Sequence, residues 1–240
     1  MKLLEIADTL RAEMRGLAFG PPAAYVYSPL DYAWAPHSKY LEQWGGRGAR
    51  VLLVGMNPGP FGMAQTGVPF GAIPPVRDWL RCEAPVGLPE QMHPRRPVEG
   101  FACRRVEVSG TRLWGWAEAS FGTPEAFFEH FFVYNYCPLL FLTEGGANLV
   151  PEKLAAAERS LLLPPCDRAL RATAELLGVR WVVGVGGWAE TRARAALAGL
   201  PVEFGRILHP SPASPAANHG WADQATAQLR ELGAPIPRIS

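Results

Sequence analysis

VLLVGMNPGPFGMAQTGVPFGAIPPV, residues 51–76, carries no charged side chain across 26 positions. Five prolines and five glycines interrupt it. It cannot therefore be a membrane helix, because irregular backbone exposed to lipid leaves its amides unsatisfied. The stretch reads as a buried strand, Val51–Val54, opening into a long, tightly turned loop. A loop this apolar lines a pocket from which water is excluded, suited to a flat, neutral ligand.

Three further apolar runs read as buried strands: Phe131–Asn135, Trp181–Val185 and Phe204–Leu208. Helical periodicity fills the intervals, at Pro75–Cys82, Thr111–Phe121, Pro124–His130, Pro165–Leu177, Trp188–Ala198 and Pro215–Leu232. The N-terminal MKLLEIADTLRAEMRG carries Glu5, Asp8 and Arg11 inside its apolar pattern, which predicts an amphipathic helix and not a signal peptide. Buried strands alternating with helices predict an α/β fold of three layers, α/β/α, around a central four-stranded parallel sheet. With no repeat and no linker, residues 1–240 read as a single domain. Glu83–Ser109 is the least regular part, rich in Pro and Arg, and reads as a long surface excursion.

Composition narrows the function classes. Hydrophobic content is 48%, charged content 19% and formal net charge +1. A sizeable core is within reach, and no global basic field announces a nucleic-acid partner, so any such footprint must be local. No continuous apolar span suggests a membrane, and the expectation is a soluble, intracellular protein, cytoplasmic in a prokaryote and nuclear in a eukaryote. Cys82, Cys103, Cys137 and Cys166 form no C-x-x-C pair, and the five histidines form no H-E-x-x-H. Free thiols and no metal are expected.

The strand ends carry the chemistry, because ligands of open parallel sheets bind outside the carboxyl ends of the strands. Asn57 follows the first strand in a Gly/Pro turn, where it could act on a ligand or simply close an Asx-turn. The loop lacks the Gly-Lys-Ser/Thr of a phosphate cradle. Asn135 closes the second run. Gly184-Val185-Gly186-Gly187-Trp188-Ala189 matches G-x-G-x-x-A after the third, with Glu203 seventeen residues beyond Gly186. That pattern fits a dinucleotide site or plain close packing of helix on strand. His209 opens HPSPASPAAN after the fourth, as a ligand contact or a satisfied structural residue. Phe70, beside Gly71, could be core or a platform for a flat ring. Arg95, Arg96, Arg104, Arg105 and Arg112 are the one local basic concentration, equally readable as solvated surface or as a DNA contact.

Together these residues resemble the uracil-DNA glycosylase superfamily, most closely its single-strand-selective monofunctional branch. The carrying motifs are GMNPGPFGMAQTGVPFG (Gly55–Gly71), NYCPLLF (Asn135–Phe141) and HPSP…AN (His209–Asn218), in that order. The resemblance implies that Asn57 holds the hydrolytic water and His209 contacts the uracil O2 as negative charge develops. It implies that Phe70 stacks on the flipped base, Asn135 reads the uracil edge, and Met56, Gly59 and Met63 shape the pocket, the last two near C5. It further implies that Ser211, Pro212, Ala213, Ser214, Pro215 and Asn218 belong to a wedge that fills the vacated stack. Where the family often has an arginine-asparagine pair, this chain has Ala213-Ser214, a small and uncharged tip.

The chemistry suits the residue types. A base inside a duplex must be extruded before its glycosidic bond can be reached. An Asn has no useful basicity near neutral pH and can only position water, so bond breaking leads and a weak nucleophile follows. A bifunctional glycosylase needs an amine, and Lys2, Lys39 and Lys153 lie in no motif. The expectation is a monomeric DNA repair glycosylase without cofactor. It would release uracil, and C5-oxidised uracils such as 5-hydroxymethyluracil, leaving an abasic site without strand cleavage. The alternatives are a preference for other deaminated bases, a catalytically silent DNA-binding module, and a dinucleotide-dependent enzyme built on Gly184–Ala189.

Overall fold

The computed structural model describes residues 2–236. In chain order the elements are α1 (Leu3–Arg15), β1 (Tyr25–Tyr27), α2 (Pro29–Tyr32), α3 (Trp34–Trp44), β2 (Val51–Gly55), α4 (Met63–Thr66), α5 (Val108–Phe121), α6 (Pro124–Phe128), β3 (Phe131–Asn135), β4 (Leu140–Leu142), β5 (Asn148–Leu149), α7 (Ala156–Leu177), β6 (Trp181–Val185), α8 (Gly187–Ala196), β7 (Glu203–Ile207) and α9 (Trp221–Glu231).

The four apolar runs form one parallel sheet in the order β3-β2-β6-β7. Every residue of β2 and β6 is buried, as expected of strands covered on both faces. The chain leaves β2 toward β3 and leaves β6 toward β7, in opposite directions. Right-handed crossovers therefore place α5 and α6 on one face and α7 and α8 on the other. After β7 the chain returns to the α5 side, where α9 packs on β7 and α5. The layering is α/β/α, as the sequence predicts. The divergence between β2 and β6 opens a crevice at the carboxyl edge of the sheet.

Several boundaries differ from the sequence reading. Pro75–Trp79 is a single π-helical turn. Pro215–Asn218 is a 3-10 turn separated from α9 by Gly220 at φ +73°. Helix α7 begins at Ala156 and runs through Pro164 and Pro165. Proline at these positions leaves the carbonyls of Ser160 and Leu161 without an amide, and both residues are exposed to water.

The antiparallel sheet β1-β4-β5 was not expected, nor was α3. Helix α3 sends Tyr40 and Trp44 into the core, stacked on Phe132 and Phe128, with their polar tips bonded to the carbonyls of Val133 and Leu80.

The 83–109 stretch is irregular, but it is anchored more firmly than a surface excursion would be. His93, Val98 and Cys103 are buried. The Tyr27 hydroxyl accepts from the His93 amide at 2.7 Å and donates to the Arg96 carbonyl at 2.7 Å. All four cysteines are buried free thiols. No helix among the described residues is long and apolar enough to cross a membrane.

Candidate active site

The register of β2 with β3 builds the centre of the crevice. Gly55 is the partner of Asn135, and the pairing continues past the strand ends through Tyr136 N–H to Gly55 O (2.9 Å) and Cys137 N–H to Met56 O (2.8 Å). Met56, Asn57 and Asn135 thus stand side by side at one edge. The Asn57 amide nitrogen donates to the Leu139 carbonyl at 3.4 Å, which leaves its oxygen available to accept. Asn135 donates from its NH₂ to the Met63 sulfur at 3.2 Å. Its carbonyl oxygen is buried with no hydrogen-bond partner. A buried amide oxygen left unpaired is costly, and a ligand N–H would satisfy it.

Phe70 reaches the same point from the loop. A Cβ built on Gly55 would lie 2.3 Å from the Asn135 Oδ1 and 2.5 and 2.8 Å from two atoms of the Phe70 ring. Only glycine allows the amide and the ring to meet there. Phe70 itself adopts φ +53°, a left-handed conformation that costs free energy for a bulky side chain. Its carbonyl accepts from Ala72 N–H at 2.8 Å, and a Cβ on Gly110 of α5 would sit 2.0 Å from that oxygen. The loop is thus pressed flat against a helix that has no side chain at the contact.

His209 enters from the far side of the crevice, its ring centroid 6.1 Å from that of Phe70 with the planes at 46°. Nδ1 accepts the Ser211 amide at 3.1 Å, so the proton of the neutral ring sits on Nε2. Burial pushes its pKa down from the usual imidazole value, which keeps it neutral near pH 7. Gly186, at φ +94°, makes room for it: a Cβ there would come within 3.3 Å of the His209 Cβ.

The segment after His209 is braced from α5. Arg112 donates to the Pro210 carbonyl at 3.0 Å and to the Asn218 Oδ1 at 2.9 Å, while Asn218 donates to the Pro212 carbonyl at 3.0 Å. Asn218 therefore holds the turn from behind. Pro212, Ala213 and Pro215 are exposed, with Ser211 and Ser214 partly so.

The Gly184–Ala189 pattern is explained by packing. A Cβ on Gly184 would lie 2.2 Å from the Glu190 amide nitrogen, so the glycine is what lets α8 settle on β6. Glu203 pairs with Trp181 at the amino edge of the sheet, the opposite end from Gly186, and its carboxylate is bonded to Arg180 at 3.0 Å. It cannot serve a ribose at Gly186, which removes the dinucleotide reading.

Three residues at the site escaped the sequence reading. Gln65 is fully buried in α4. Its NH₂ donates to the carbonyls of Pro60 (2.8 Å) and Pro97 (2.9 Å), and its oxygen accepts from the amides of Glu99 (2.8 Å) and Gly100 (3.1 Å). It staples the first-motif loop to the 97–100 segment. Gln65→Leu leaves four backbone groups without their partner and is expected to cost at least about 2 kcal/mol in urea denaturation; a loss below about 0.5 kcal/mol would discount the staple.

Glu107, at the N-cap of α5, accepts from Ser109 N–H at 3.3 Å. Its carboxyl lies against the loop, 2.8 Å from a Cβ built on Gly59 and 3.3 Å from one on Gly62. Burial raises its pKa above the usual carboxylate value. Glutamate before a helix gives no signal of a contact some fifty residues upstream.

His37 is buried in α3 and donates from Nδ1 to the Gly67 carbonyl at 2.7 Å, which caps the helix carrying Met63. With Met63 and Asn135 it also lines a small cavity of about 30 Å³. Burial lowers its pKa to about 4. The unfolded chain takes up this proton near the ordinary value of ~6.5, before the folded one does. Stability is therefore intact above about pH 6.5 and falls as pH drops toward 4, by about 3 kcal/mol. Urea melts at neutral and acid pH should show this loss shrinking in His37→Asn, which keeps a donor but cannot titrate. An unchanged acid loss would place the sensitivity elsewhere.

Comparison with known proteins follows the same lines. Residues 43–230 match the family model of the uracil DNA glycosylase superfamily. The chain is 53% identical over 232 residues to the single-strand selective monofunctional uracil DNA glycosylase of Mus musculus, covering 96% of this chain and 83% of that one. It is 52% identical over 226 residues to the Bos taurus protein of the same name, covering 93% and 83%. In fold it is similar to wild-type SMUG2 of Pedobacter heparinus, with a TM-score of 0.63 at 19% identity over 95% of this chain and 98% of that one. The family match covers all four strands of the parallel sheet and the crevice residues from Met56 to Asn218, and the chain belongs to the uracil DNA glycosylase superfamily, in its single-strand-selective monofunctional branch.

Proposed function

We propose that the protein is a DNA repair glycosylase that binds uracil-containing DNA as a monomer, extrudes the base into the crevice, and hydrolyses its N-glycosidic bond. C5-oxidised uracils such as 5-hydroxymethyluracil are included among the bases. The observation that carries this reading is the unpartnered Asn135 oxygen, buried against Gly55 beside the Phe70 ring. Uracil N3–H supplies the missing donor, and the Asn135 NH₂ turns from the Met63 sulfur, a weak acceptor, to the base O4. Cytosine presents the reverse pattern and would leave both groups unpaired, a mismatch that discriminates strongly.

In the mechanism, Phe70 stacks on the extruded ring while Met56, Gly59 and Met63 close its sides. The C1′–N1 bond breaks first, its electron pair passing to the base and accumulating on O2. His209 Nε2–H donates to that oxygen. Asn57 accepts a hydrogen bond from a water, whose oxygen then attacks C1′; the proton it loses passes to solvent. Ser211–Pro215 occupies the vacated stack, with Asn218 and Arg112 holding it in place. No lysine takes part: Lys39 donates to the Glu83 carbonyl at 3.3 Å, and Lys153 lies in the exposed turn before α7. The product is an abasic site on an intact strand.

The test is a labelled oligonucleotide bearing one uracil, single-stranded and duplex, with and without alkali after incubation. Cleavage that needs alkali is the expected result. A nick at every excised uracil without alkali would overturn the monofunctional mechanism. No cleavage in either form would overturn uracil as the substrate.

A further inference from the structure

The mechanism leaves unused the arginines of the 83–107 segment. Two of them converge on one ring of the first-motif loop: the Arg105 guanidinium carbon lies 4.7 Å, and that of Arg96 5.4 Å, from the centroid of Phe61. Phe61 stands between Gly59 and Gly62, both of which rest on Glu107. Gly59 belongs to the proposed base pocket, so the two arginines stand beside it in this reading.

Many arginines elsewhere are matched with acids, as in Arg81 with Glu125, Arg168 with Glu13 and Arg180 with Glu203. Among the described residues no carboxylate lies within ion-pair distance of Arg95, Arg96, Arg104 or Arg105. Two of the four are held by neutral groups. Arg95 donates to the Gly145 carbonyl at 2.6 Å and Arg96 to the Gly146 carbonyl at 2.9 Å. These bonds and the Phe61 ring orient the guanidinium groups without cancelling their charge. Beside Arg105, Val106 is 71% exposed.

We infer that Phe61 with Arg95, Arg96, Arg104 and Arg105 forms a subsite for the phosphodiester backbone of the nucleotides flanking the extruded base, shaped for a single strand. Oriented, unneutralised guanidinium groups beside the pocket provide the phosphate contacts. The flat guanidinium faces and the exposed Val106 offer surfaces to unpaired bases, which a duplex keeps stacked on one another. The small Ala213-Ser214 tip offers little to refill a duplex stack, so strand binding at the arginines would carry more of the affinity. The inference rests on the proposed base-excision reading.

The test is binding of a labelled, uracil-free single strand, followed by anisotropy across a salt series. Arg96→Ala/Arg105→Ala is expected to weaken binding at least about tenfold at low salt and to reduce the log–log salt slope by about 1.4, two single-strand phosphates at ~0.7 each. Phe61→Leu, which keeps an apolar side chain but loses the π face, should fall between the double variant and the parent. Arg168→Glu/Arg171→Glu on α7 changes the net charge more and should leave the slope unchanged, which separates a local subsite from a global field. An unchanged slope in the double variant overturns the subsite whether or not uracil is released. Failure of the parent to release uracil overturns the excision reading, and the binding series still decides the subsite.

Discussion

Uracil release by His209→Ala is expected to fall by about 10²–10³ in kcat, equivalent to ~2.7–4 kcal/mol of lost transition-state stabilisation. The proposed reaction builds negative charge on the base oxygen, and catalysis depends on a donor already aimed at that atom. His209 has the properties required. The Ser211 amide on Nδ1 fixes the tautomer that carries Nε2–H. Burial holds the ring neutral, so this amide stays bonded to an unprotonated acceptor and the loop keeps its shape. The bare Cα of Gly186 lets the ring approach the crevice, and Arg112 on the Pro210 carbonyl pins the following peptide. The measurement is single-turnover kinetics with enzyme in excess, which isolates the chemical step from product release. His209→Gln supplies an amide donor at a different reach and should recover part of the loss. A fall of less than about tenfold in His209→Ala would mean that another group carries the charge.

The parts of this site that were legible in the sequence share one physical reason. Asn57, Asn135 and His209 each follow an apolar run, and a parallel sheet gathers the carboxyl ends of such runs on one edge. The residues that support them were not legible, because their partners are remote along the chain. Gln65 reaches Pro97 and Gly100, 32 and 35 positions away, and Arg112 reaches Asn218 across 106. No local pattern distinguishes a glutamine with four bonds from one facing water. The Gly184–Ala189 motif left two readings open, and the structure selects the packing one. Glycines that let a helix pack on a strand look the same as glycines that let a phosphate approach, and only the position of Glu203 at the far end of the sheet tells them apart. In the fold, the strands of the parallel sheet were read to within a residue; β2 and β6 are unbroken apolar runs buried throughout, while edge strand β7 exposes Glu203 and Arg206 and was marked by Phe204, Ile207 and Leu208 alone. The short strands β1, β4 and β5 were missed because two or three residues carry no usable alternation. Helix α3 was missed because its sequence, WAPHSKYLEQW, mixes aromatic, polar and proline residues, and what holds it is tertiary: Tyr40 and Trp44 reaching backbone carbonyls under the sheet.

Gly55→Ala adds one methyl group and is expected to lower kcat/KM for uracil by at least about 10², since a displacement near 1 Å at a reacting centre costs that much. The new Cβ would stand 2.3 Å from the Asn135 Oδ1 and 2.5 Å from the Phe70 ring, so one or both must move. Asn135 has little freedom: it ends β3, is buried, and is tied through its NH₂ to Met63. Phe70 is constrained by its backbone at φ +53° and by Gly110 against its carbonyl. Retreat of the ring removes the stacking face, and rotation of the amide turns the acceptor away from the base edge. The cost in stability should be smaller, about 1–3 kcal/mol for an overpacked methyl, so the variant should remain folded and still bind a uracil-free strand with parental affinity through contacts outside the pocket. That split, lost excision with retained strand binding, is what a shared base pocket over Gly55 demands. A folded Gly55→Ala protein that excised uracil at near-parental kcat/KM would show that Asn135 and Phe70 do not close on the base together, and the role of the unpartnered Asn135 oxygen would have to be sought in another ligand.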